Sequence, residues 1–248
     1  MESENVTIMF ELLRTHLQTK SIVLASASPR RRELLAQIGI QFKVIPSTFE
    51  ENLSKEKSAQ EYAELTALHK ARQVYSSLCL ETQDPPDIVI GADTVVEHQG
   101  LILEKPDNAA HAKEMLQGLS GSKHSVHTGV AIVQSDREIS FCETTTVCFM
   151  KFSDADIDEY IASGEPFGKA GAYGIQGKAA VFVESIQGCF YNGMWYISLI
   201  IACYILHHSC LTYIYIYIYI VLDIPCTHLN VFHSFSCWVT IASSPARD

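Results

Sequence analysis

Charged residues almost disappear from this chain after Gly188, and this break limits what its 248 residues can fold into. The chain carries 18 basic and 28 acidic side chains, but only Asp223, Arg247 and Asp248 lie beyond Gly188. Soluble domains usually have about a quarter of their residues charged. The part up to Gly188 therefore has the composition of a soluble protein, and the segment after it does not continue that pattern.

The composition of the chain excludes several classes of protein. Hydrophobic residues make up 48%, which is enough to bury a sizeable core and argues against disorder as the dominant state. The net charge of −10 argues against a broad nucleic-acid-binding surface, because such a surface needs clustered Lys and Arg. An anionic small substrate would need a local basic pocket or a metal ion.

The first residues do not resemble a targeting segment. Glu2, Glu4 and Glu11 lie among them, whereas a signal peptide begins with basic residues and a transit peptide is poor in acids. The cysteines of the charged part are scattered without CxxC pairs, which predicts reduced thiols. They are Cys79, Cys142 and Cys148. These features together predict a cytoplasmic protein.

Hydrophobic periodicity divides the charged part into alternating helices and strands. It predicts helices over 8–17, 29–38, 59–80, 109–119 and 154–163. It predicts strands over 21–25, 42–46, 88–91, 126–134, 139–149 and 180–186. Ser28 and Ser153 precede helices as N-caps, and Gly39 and Gly164 follow helices as stop signals. This order predicts an α/β fold.

The turn between the first strand and the next helix has the composition of a phosphate site. Ser26 and Ser28 lie beside Arg30 and Arg31, at a helix N-terminus whose free N–H groups favour anions. Arginine binds phosphate oxygens through paired hydrogen bonds, so the turn suits a polyphosphate. The alternative is a capped helix with solvated arginines, and the motif alone does not decide between the two.

A second candidate site follows the apolar run over 88–90. Asp93 and Thr94 come after this run, and a carboxylate at the edge of the core could hold a metal ion or act as a base toward water. A turn-forming Asp is the alternative. Lys105 lies near the start of a later loop and is weak evidence alone, because most lysines are solvated.

A third candidate is the glycine-rich segment over 169–177. Gly171, Gly174 and Gly177 recur every three residues and permit close approach of the backbone to a ligand. The chain contains neither GxGxxG nor GxxxxGK[ST]. Neither a dinucleotide fingerprint nor a P-loop is therefore predicted.

Taken together, these segments resemble the Maf family of nucleoside triphosphate pyrophosphatases, known from work on septum formation in bacteria. The resemblance runs from about Ser21 to Asn192 and depends on many motifs in order rather than on any one of them. The motifs are LASASPRRRELL, EEN, HKA, IGADTVV, LEKP, LSG, HTGVAIV, SGEP and KAGAYGIQG.

The resemblance implies a domain organisation, a fold and a reaction. It divides the chain into an N-terminal extension over 1–20, a pyrophosphatase domain over 21–192 without its final strand and helix, and a non-homologous apolar tail over 193–248. The implied fold is that of the Maf and inosine-triphosphate pyrophosphatases, with a mixed central sheet flanked by helices. The implied reaction hydrolyses a nucleoside triphosphate to the monophosphate and pyrophosphate with Mg²⁺ or Mn²⁺. A homodimer is one assembly that the resemblance allows.

The resemblance also implies a role for individual residues. Asp93 is implied as the catalytic acid or base and, with Glu51, as a metal ligand. The implied substrate-binding residues are Ser26, Arg30, Arg31, Lys70, Thr94, Lys105 and Gln176. Of these, Arg30, Thr94 and Gln176 match positions associated with base choice. The motifs SPRR, GADT, EKP and AYGIQG resemble the branch that acts on dTTP and UTP. The 7-methyl-GTP branch has Trp after SP, GSDQ and GKP instead.

The chain departs from the family pattern at two places. Gly168 stands where the family has Asp before KAGAY, and the resemblance stops after Asn192. The uncharged run over 185–222 is long enough for a membrane anchor. Against an anchor, His207 and His208 interrupt this run and basic flanks are missing.

We favour a different origin for the tail, namely translation of an intron. Residues 213–220 alternate Tyr and Ile as a TATATA repeat would encode, and Gly193 followed by Met194 is compatible with a splice-donor-like GGTATG. The Tyr–Ile run has an aggregation-prone composition, which predicts low solubility and reduced activity. Two alternatives to a soluble enzyme stay open, an inactive truncated splice product and a membrane-tethered form.

Overall fold

A computed structural model describes residues 18–192, except 38, 52, 55, 56 and 191. The predicted helix over 8–17 and every prediction about the tail over 193–248 lie outside these residues. The helices are α1 (Pro29–Gln37), α2 (Ala59–Glu81), α3 (Ala109–Leu119) and α4 (Asp154–Ala162). The strands are β1 (Ile22–Leu24), β2 (Lys43–Val44), β3 (Ile88–His98), β4 (Leu101–Leu103), β5 (Lys123–Val133), β6 (Glu138–Phe149) and β7 (Val183–Gln187).

The strands form one mixed sheet in the order β2-β1-β3-β5-β6-β7, with β4 paired to β3. Strand β1 runs parallel to β2 and β3, whereas β3, β5, β6 and β7 pair antiparallel. Helix α2 covers one face through an alanine-rich cluster, and α3 and α4 pack with residues of the other face around Leu116, Phe149 and Ile157. The prediction of an α/β fold with a mixed central sheet flanked by helices is therefore confirmed.

Local capping signals define the helix ends. Ser58 caps α2 and Ser153 caps α4, and in each case an acidic side chain three residues on bonds back to the backbone of the cap. Gly39 follows α1 with a φ of +77°, and its N–H donates to the carbonyl of Ala36. Because these interactions are local in sequence, the observed ends of α1, α2 and α4 lie close to the predicted ends.

Two glycines allow α2 to lie unusually close to the sheet. A Cβ at Gly91 would collide with the carbonyl oxygen of Ala67, and a Cβ at Gly129 would collide with that of Ala63. Ala63 and Ala67 are fully buried in this contact. The close approach brings Lys70, further along α2, to the middle of β3.

Strand β3 is longer than predicted, and this corrects the expected position of two site residues. The apolar run was expected to end before Asp93 and Thr94, but the strand continues to His98, and both residues lie inside it. The predicted strand over 180–186 also starts later, at Val183, after a 3₁₀ turn, and β4 was missed. Cross-strand partners decide these boundaries, and local hydrophobicity does not report them.

The extra length of β3 leaves a gap along one of its edges. Pairing with β1 ends at Ile90, and pairing with β4 begins only at Val96. Asp93 and Thr94 lie in this gap, with side chains that alternate between the two faces of the sheet. Within the described residues, no helix is long and apolar enough to cross a membrane.

Candidate active site

A cavity of about 910 Å³ opens at the gap along β3. Its wall includes the turn after β1, the start of α1, the middle of β3, and the glycine-rich segment over 169–177. All nine residues that the resemblance implied as site residues line it. They are Ser26, Arg30, Arg31, Glu51, Lys70, Asp93, Thr94, Lys105 and Gln176. The structure therefore brings together residues that are up to 150 positions apart in sequence.

One ammonium group joins the two carboxylates of the cavity. Lys70 Nζ lies 2.7 Å from Asp93 Oδ1 and 2.7 Å from Glu51 Oε1. Asp93 is only 5% exposed and Lys70 9%, whereas Glu51 is partly open to solvent. Lys105 Nζ lies further away, 3.9 Å from the same Glu51 oxygen. Lys70 therefore fixes both carboxylates from the sheet-facing side of α2.

Burial sets the two carboxylates apart in acidity. Burial raises the pKa of Asp93, and the nearby charges of Lys70 and Arg31 oppose this only in part. Burial alone would also raise the pKa of Glu51, but the hydrogen bond and charge of Lys70, with Lys105 and Arg31, lower it overall. Asp93 is therefore the carboxylate better suited to accept a proton, and Glu51 the better suited to stay ionised.

Arg31 is held by three hydrogen bonds at the floor of the cavity. Its guanidinium donates to Ser26 Oγ at 3.1 Å, to the Ala92 carbonyl at 2.8 Å and to Thr94 Oγ1 at 3.0 Å. The Ala92 carbonyl lies in the gap between the two pairing partners of β3, so Arg31 takes the place of a neighbouring strand. Burial lowers the pKa of Arg31, while Asp93 and Glu51 act against this effect.

Arg30 forms a separate pair at the other end of the cavity. Its Nη1 donates to Gln176 Oε1 at 3.1 Å, and Gln176 Nε2 donates to the Phe190 carbonyl at 2.8 Å. A Cβ at Gly174 would collide with the Arg30 guanidinium, so a larger residue there would displace this side chain from its present position. These contacts give the Gln176 amide one defined orientation.

The cavity is locally basic in a chain whose net charge is −10. Among the residues described, its walls carry five cationic and three anionic side chains. The cations are Arg30, Arg31, Lys70, Lys105 and Lys169, and the anions are Glu33, Glu51 and Asp93. Such an excess in a recessed site attracts an anionic ligand. An acidic chain needs a local basic pocket, or a metal ion, to bind an anionic substrate, and this cavity is such a pocket.

Lys169 and Thr128 are among the polar wall residues that sequence reasoning did not single out. Lys169 lies near Arg30, and burial followed by the Arg30 charge lowers its pKa. Thr128 lies on β5 with Oγ1 3.0 Å from Thr94 Oγ1. Lys169 could have been noticed as the charged residue that opens the glycine-rich segment. Thr128 lies within the HTGVAIV motif, but only the strand register places it opposite Thr94.

The carboxylates also bear on whether the cavity suits a divalent metal. No cluster of three or more His, Cys, Asp or Glu side chains arranged for a metal ion occurs in the described part of the chain. Mg²⁺ is commonly held by one or two carboxylates together with water and substrate phosphates. Glu51 and Asp93, both bonded to Lys70, supply hard oxygen donors of that kind. The donor chemistry therefore fits a metal bound together with a phosphorylated ligand.

Comparison with known proteins agrees with the site geometry. The family model of Maf-like proteins matches residues 21–194. The chain belongs to the Maf family. A dTTP/UTP pyrophosphatase of Bacillus cereus is 47% identical over 173 residues, which cover 70% of this chain and 82% of that protein. A dTTP/UTP pyrophosphatase of Bacillus anthracis is 46% identical over 173 residues, which cover 87% of that protein.

A solved structure of a Vibrio cholerae protein is much more distant than these Maf proteins. It shares 10% sequence identity, with a TM-score of 0.32 over 58% of this chain and 78% of that one. Similarity at this level supports no conclusion about fold or function. The assignment to the Maf family depends on the sequence matches.

Proposed function

We propose that this protein is a nucleoside triphosphate pyrophosphatase that prefers dTTP and UTP. The observation that carries the proposal is the cavity, in which a buried carboxylate with a raised pKa lies among an excess of cationic side chains. Such a site suits a polyphosphate and a base beside it. The pyrimidine preference is supported by the names of the Maf relatives, which are dTTP/UTP pyrophosphatases.

The proposed reaction is attack of water on the α-phosphorus. Asp93 accepts a proton from the water as the new bond between oxygen and phosphorus forms. The bond between the α-phosphorus and the oxygen bridging to the β-phosphorus breaks, and pyrophosphate leaves with that electron pair. Since Lys70 holds Asp93 Oδ1, Oδ2 is the oxygen that would receive the proton. Catalysis of this kind depends mainly on position and charge stabilisation.

Cationic side chains are proposed to hold the triphosphate. Arg31, already fixed by Ser26 and Thr94, presents its remaining N–H groups to phosphate oxygens, and Arg30 and Lys105 approach from the rim. Glu51 and Asp93 are the residues that would hold Mg²⁺ or Mn²⁺. The metal, when bound, would offset negative charge on the leaving pyrophosphate.

The base of the nucleotide is proposed to lie toward Gln176. The hydrogen bonds to Arg30 and to the Phe190 carbonyl orient the Gln176 amide, so it offers fixed donors and acceptors to a pyrimidine edge. Thr94 lies deeper and is bonded to Arg31. Of the three residues linked to base choice, Arg30 and Gln176 therefore act as a pair, and Thr94 belongs to the arginine network.

Other predictions about the protein stay predictions. These are the cytoplasmic location, the homodimer, the division into segments 1–20, 21–192 and 193–248, and the identity of the metal. The inactive splice product and the membrane-tethered form gain no support from the Maf relatives, which are named for an enzymatic activity.

The proposed function is tested by pyrophosphate release from a panel of nucleotides. The full chain is assayed with UTP, dTTP, CTP, GTP, ATP and 7-methyl-GTP, each with Mg²⁺, with Mn²⁺ and with a chelator. We expect the highest kcat/KM for UTP and dTTP and loss of activity with the chelator. Release of orthophosphate in place of pyrophosphate would contradict the reaction, and a preference for 7-methyl-GTP would contradict the substrate class.

A further inference from the structure

Thr128 has a buried hydroxyl that borders the cavity and has no role in the function proposed above. It is 3% exposed and lies on β5 directly opposite Thr94 of β3 in the antiparallel register. Its Oγ1 is 3.0 Å from Thr94 Oγ1, and Thr94 Oγ1 is 3.0 Å from Arg31 Nη2. Arg31, Thr94 and Thr128 therefore form a chain of hydrogen-bonding groups that crosses two strands.

The direction of the bonds in this chain follows from donor chemistry. A guanidinium can only donate, so Thr94 Oγ1 accepts from Arg31. A hydroxyl has a single proton, and the proton of Thr94 is then free to point to Thr128 Oγ1. Bonds that begin at an ionised donor are stronger than neutral ones and polarise the next bond in the chain. Thr128 is thus placed as the acceptor that completes the chain.

The backbone around Thr128 has little freedom to move. Its neighbour Gly129 fits against the backbone of Ala63 on α2 with no space for a Cβ. Both strands are also paired on either side of this position, Asp93 with Gly129 and Val95 with His127. The Thr128 oxygen is consequently held in a fixed position, from which it can orient the Thr94 hydroxyl and, through it, the longer Arg31 side chain.

We propose that Thr128 is a positioning residue that holds Thr94 and, through it, the Arg31 guanidinium in the orientation that binds the pyrophosphate part of the substrate. The inference depends on the proposed function for its substrate. Arg31 keeps its bonds to Ser26 and Ala92 when Thr128 is changed, so the effect is partial. Loss of one net hydrogen bond corresponds to about a three- to tenfold weaker affinity.

The test is a double-mutant cycle of Thr128→Val and Thr94→Val in the full chain. Calorimetry gives the affinity for inorganic pyrophosphate, and steady-state kinetics with UTP give KM and kcat separately. We expect Thr128→Val to weaken pyrophosphate binding and raise KM by about three- to tenfold, with kcat within about twofold. Thr128→Ser keeps the hydroxyl and should restore both. In the Thr94→Val background, Thr128→Val should have no further effect.

A matched control separates positioning from general packing. Thr66 on α2 is fully buried, and its Oγ1 has no hydrogen-bond partner among the described residues, so Thr66→Val should leave pyrophosphate affinity unchanged. Additive effects of Thr128→Val and Thr94→Val would overturn the inference, as would an effect no larger than that of Thr66→Val. If Thr128→Val does not fold, Thr128→Ala takes its place in the cycle. If the wild type binds pyrophosphate and shows the coupling but hydrolyses no nucleotide, the proposed function fails while the positioning role stands.

Discussion

Asp93 shows how a single residue acquires its chemistry from its surroundings. Its carboxylate is buried, which raises its pKa, yet it is bonded to Lys70 and lies near Arg31. Removal of either cation would leave the buried charge less well compensated, which is costly. The side chain is therefore kept ionisable and in a fixed position, as a proton acceptor requires.

Asp93→Asn tests the role of this carboxylate directly. We expect kcat for UTP to fall by about 10²–10⁴-fold, because a general base is lost while the shape is kept. Affinity for inorganic pyrophosphate, measured without a divalent metal, should be unchanged or higher, since one negative charge leaves the cavity. Asp87→Asn is the control. Asp87 bonds the Ser21 N–H outside the cavity walls, and its loss should not affect kcat. Near-wild-type kcat in Asp93→Asn would exclude the base assignment.

The raised pKa of Asp93 also predicts the pH dependence of activity. Only the ionised carboxylate accepts a proton, so kcat should fall as pH decreases through the pKa of Asp93. Because burial raises that pKa, the fall should occur at higher pH than an ordinary aspartate would give. A kcat profile for UTP from pH 9 to pH 4.5 measures it. A kcat that stays level down to pH 4.5, as an ordinary aspartate with a pKa of about 3.9 would give, would contradict the prediction.

At the scale of elements, the contact between α2 and the sheet determines the site. Lys70 is contributed by α2, and Asp93 is contributed by β3. Their 2.7 Å separation exists only because Gly91 and Gly129 let the helix backbone approach the strands. The helix thus contributes a side chain to the candidate site as well as covering the core.

Gly91→Ala is expected to damage both stability and activity. The added methyl collides with the Ala67 carbonyl and pushes α2 outward, which should cost about 1–3 kcal/mol in the free energy of unfolding. It should also lower kcat, because Lys70 moves away from Asp93. Gly118→Ala, on α3 with open space around it, should instead leave stability unchanged or raise it by about 0.5–1 kcal/mol. Urea titration and UTP kinetics on both variants distinguish these outcomes.

At the scale of the whole molecule, two buried histidines link stability to pH. Burial lowers the pKa of His124 to about 4, with a smaller effect from His98, and burial also lowers the pKa of His127 against the opposing Glu97. His124 Nε2 lies 2.6 Å from the Tyr173 hydroxyl inside an aromatic cluster. Folding therefore requires both rings to be neutral at pH values at which an unfolded histidine is charged.

The stability of the protein should fall between about pH 6.5 and pH 4. In this window the unfolded chain binds protons that the folded chain does not, so the free energy of unfolding decreases as pH decreases. His124 alone accounts for about 3 kcal/mol over the window. Urea titrations at several pH values measure the slope. His124→Gln should lower stability at pH 7 but give a shallower slope, and an equal slope in both proteins would contradict the assignment.

Much of the fold could be predicted because its signals are local. Helices α3 and α4 begin after Asn108 and Ser153, whose side chains bond the first turn, so their bounds can be read from neighbouring residues. Strand β3 was predicted too short because its far half pairs with β4 and β5, and that pairing depends on residues distant in sequence. The small strand β4 was missed for the same reason.

The sequence by itself determined the α/β class and the resemblance to the Maf family, because motifs and periodicity are written in consecutive residues. The resemblance in turn named nine of the residues that line the cavity. Only the tertiary structure decided how those residues act together. It placed Lys70 between Asp93 and Glu51, paired Arg30 with Gln176, and set Thr128 opposite Thr94. These relations depend on helix packing and on strand register, in which a shift of one residue would turn each side chain to the other face of the sheet.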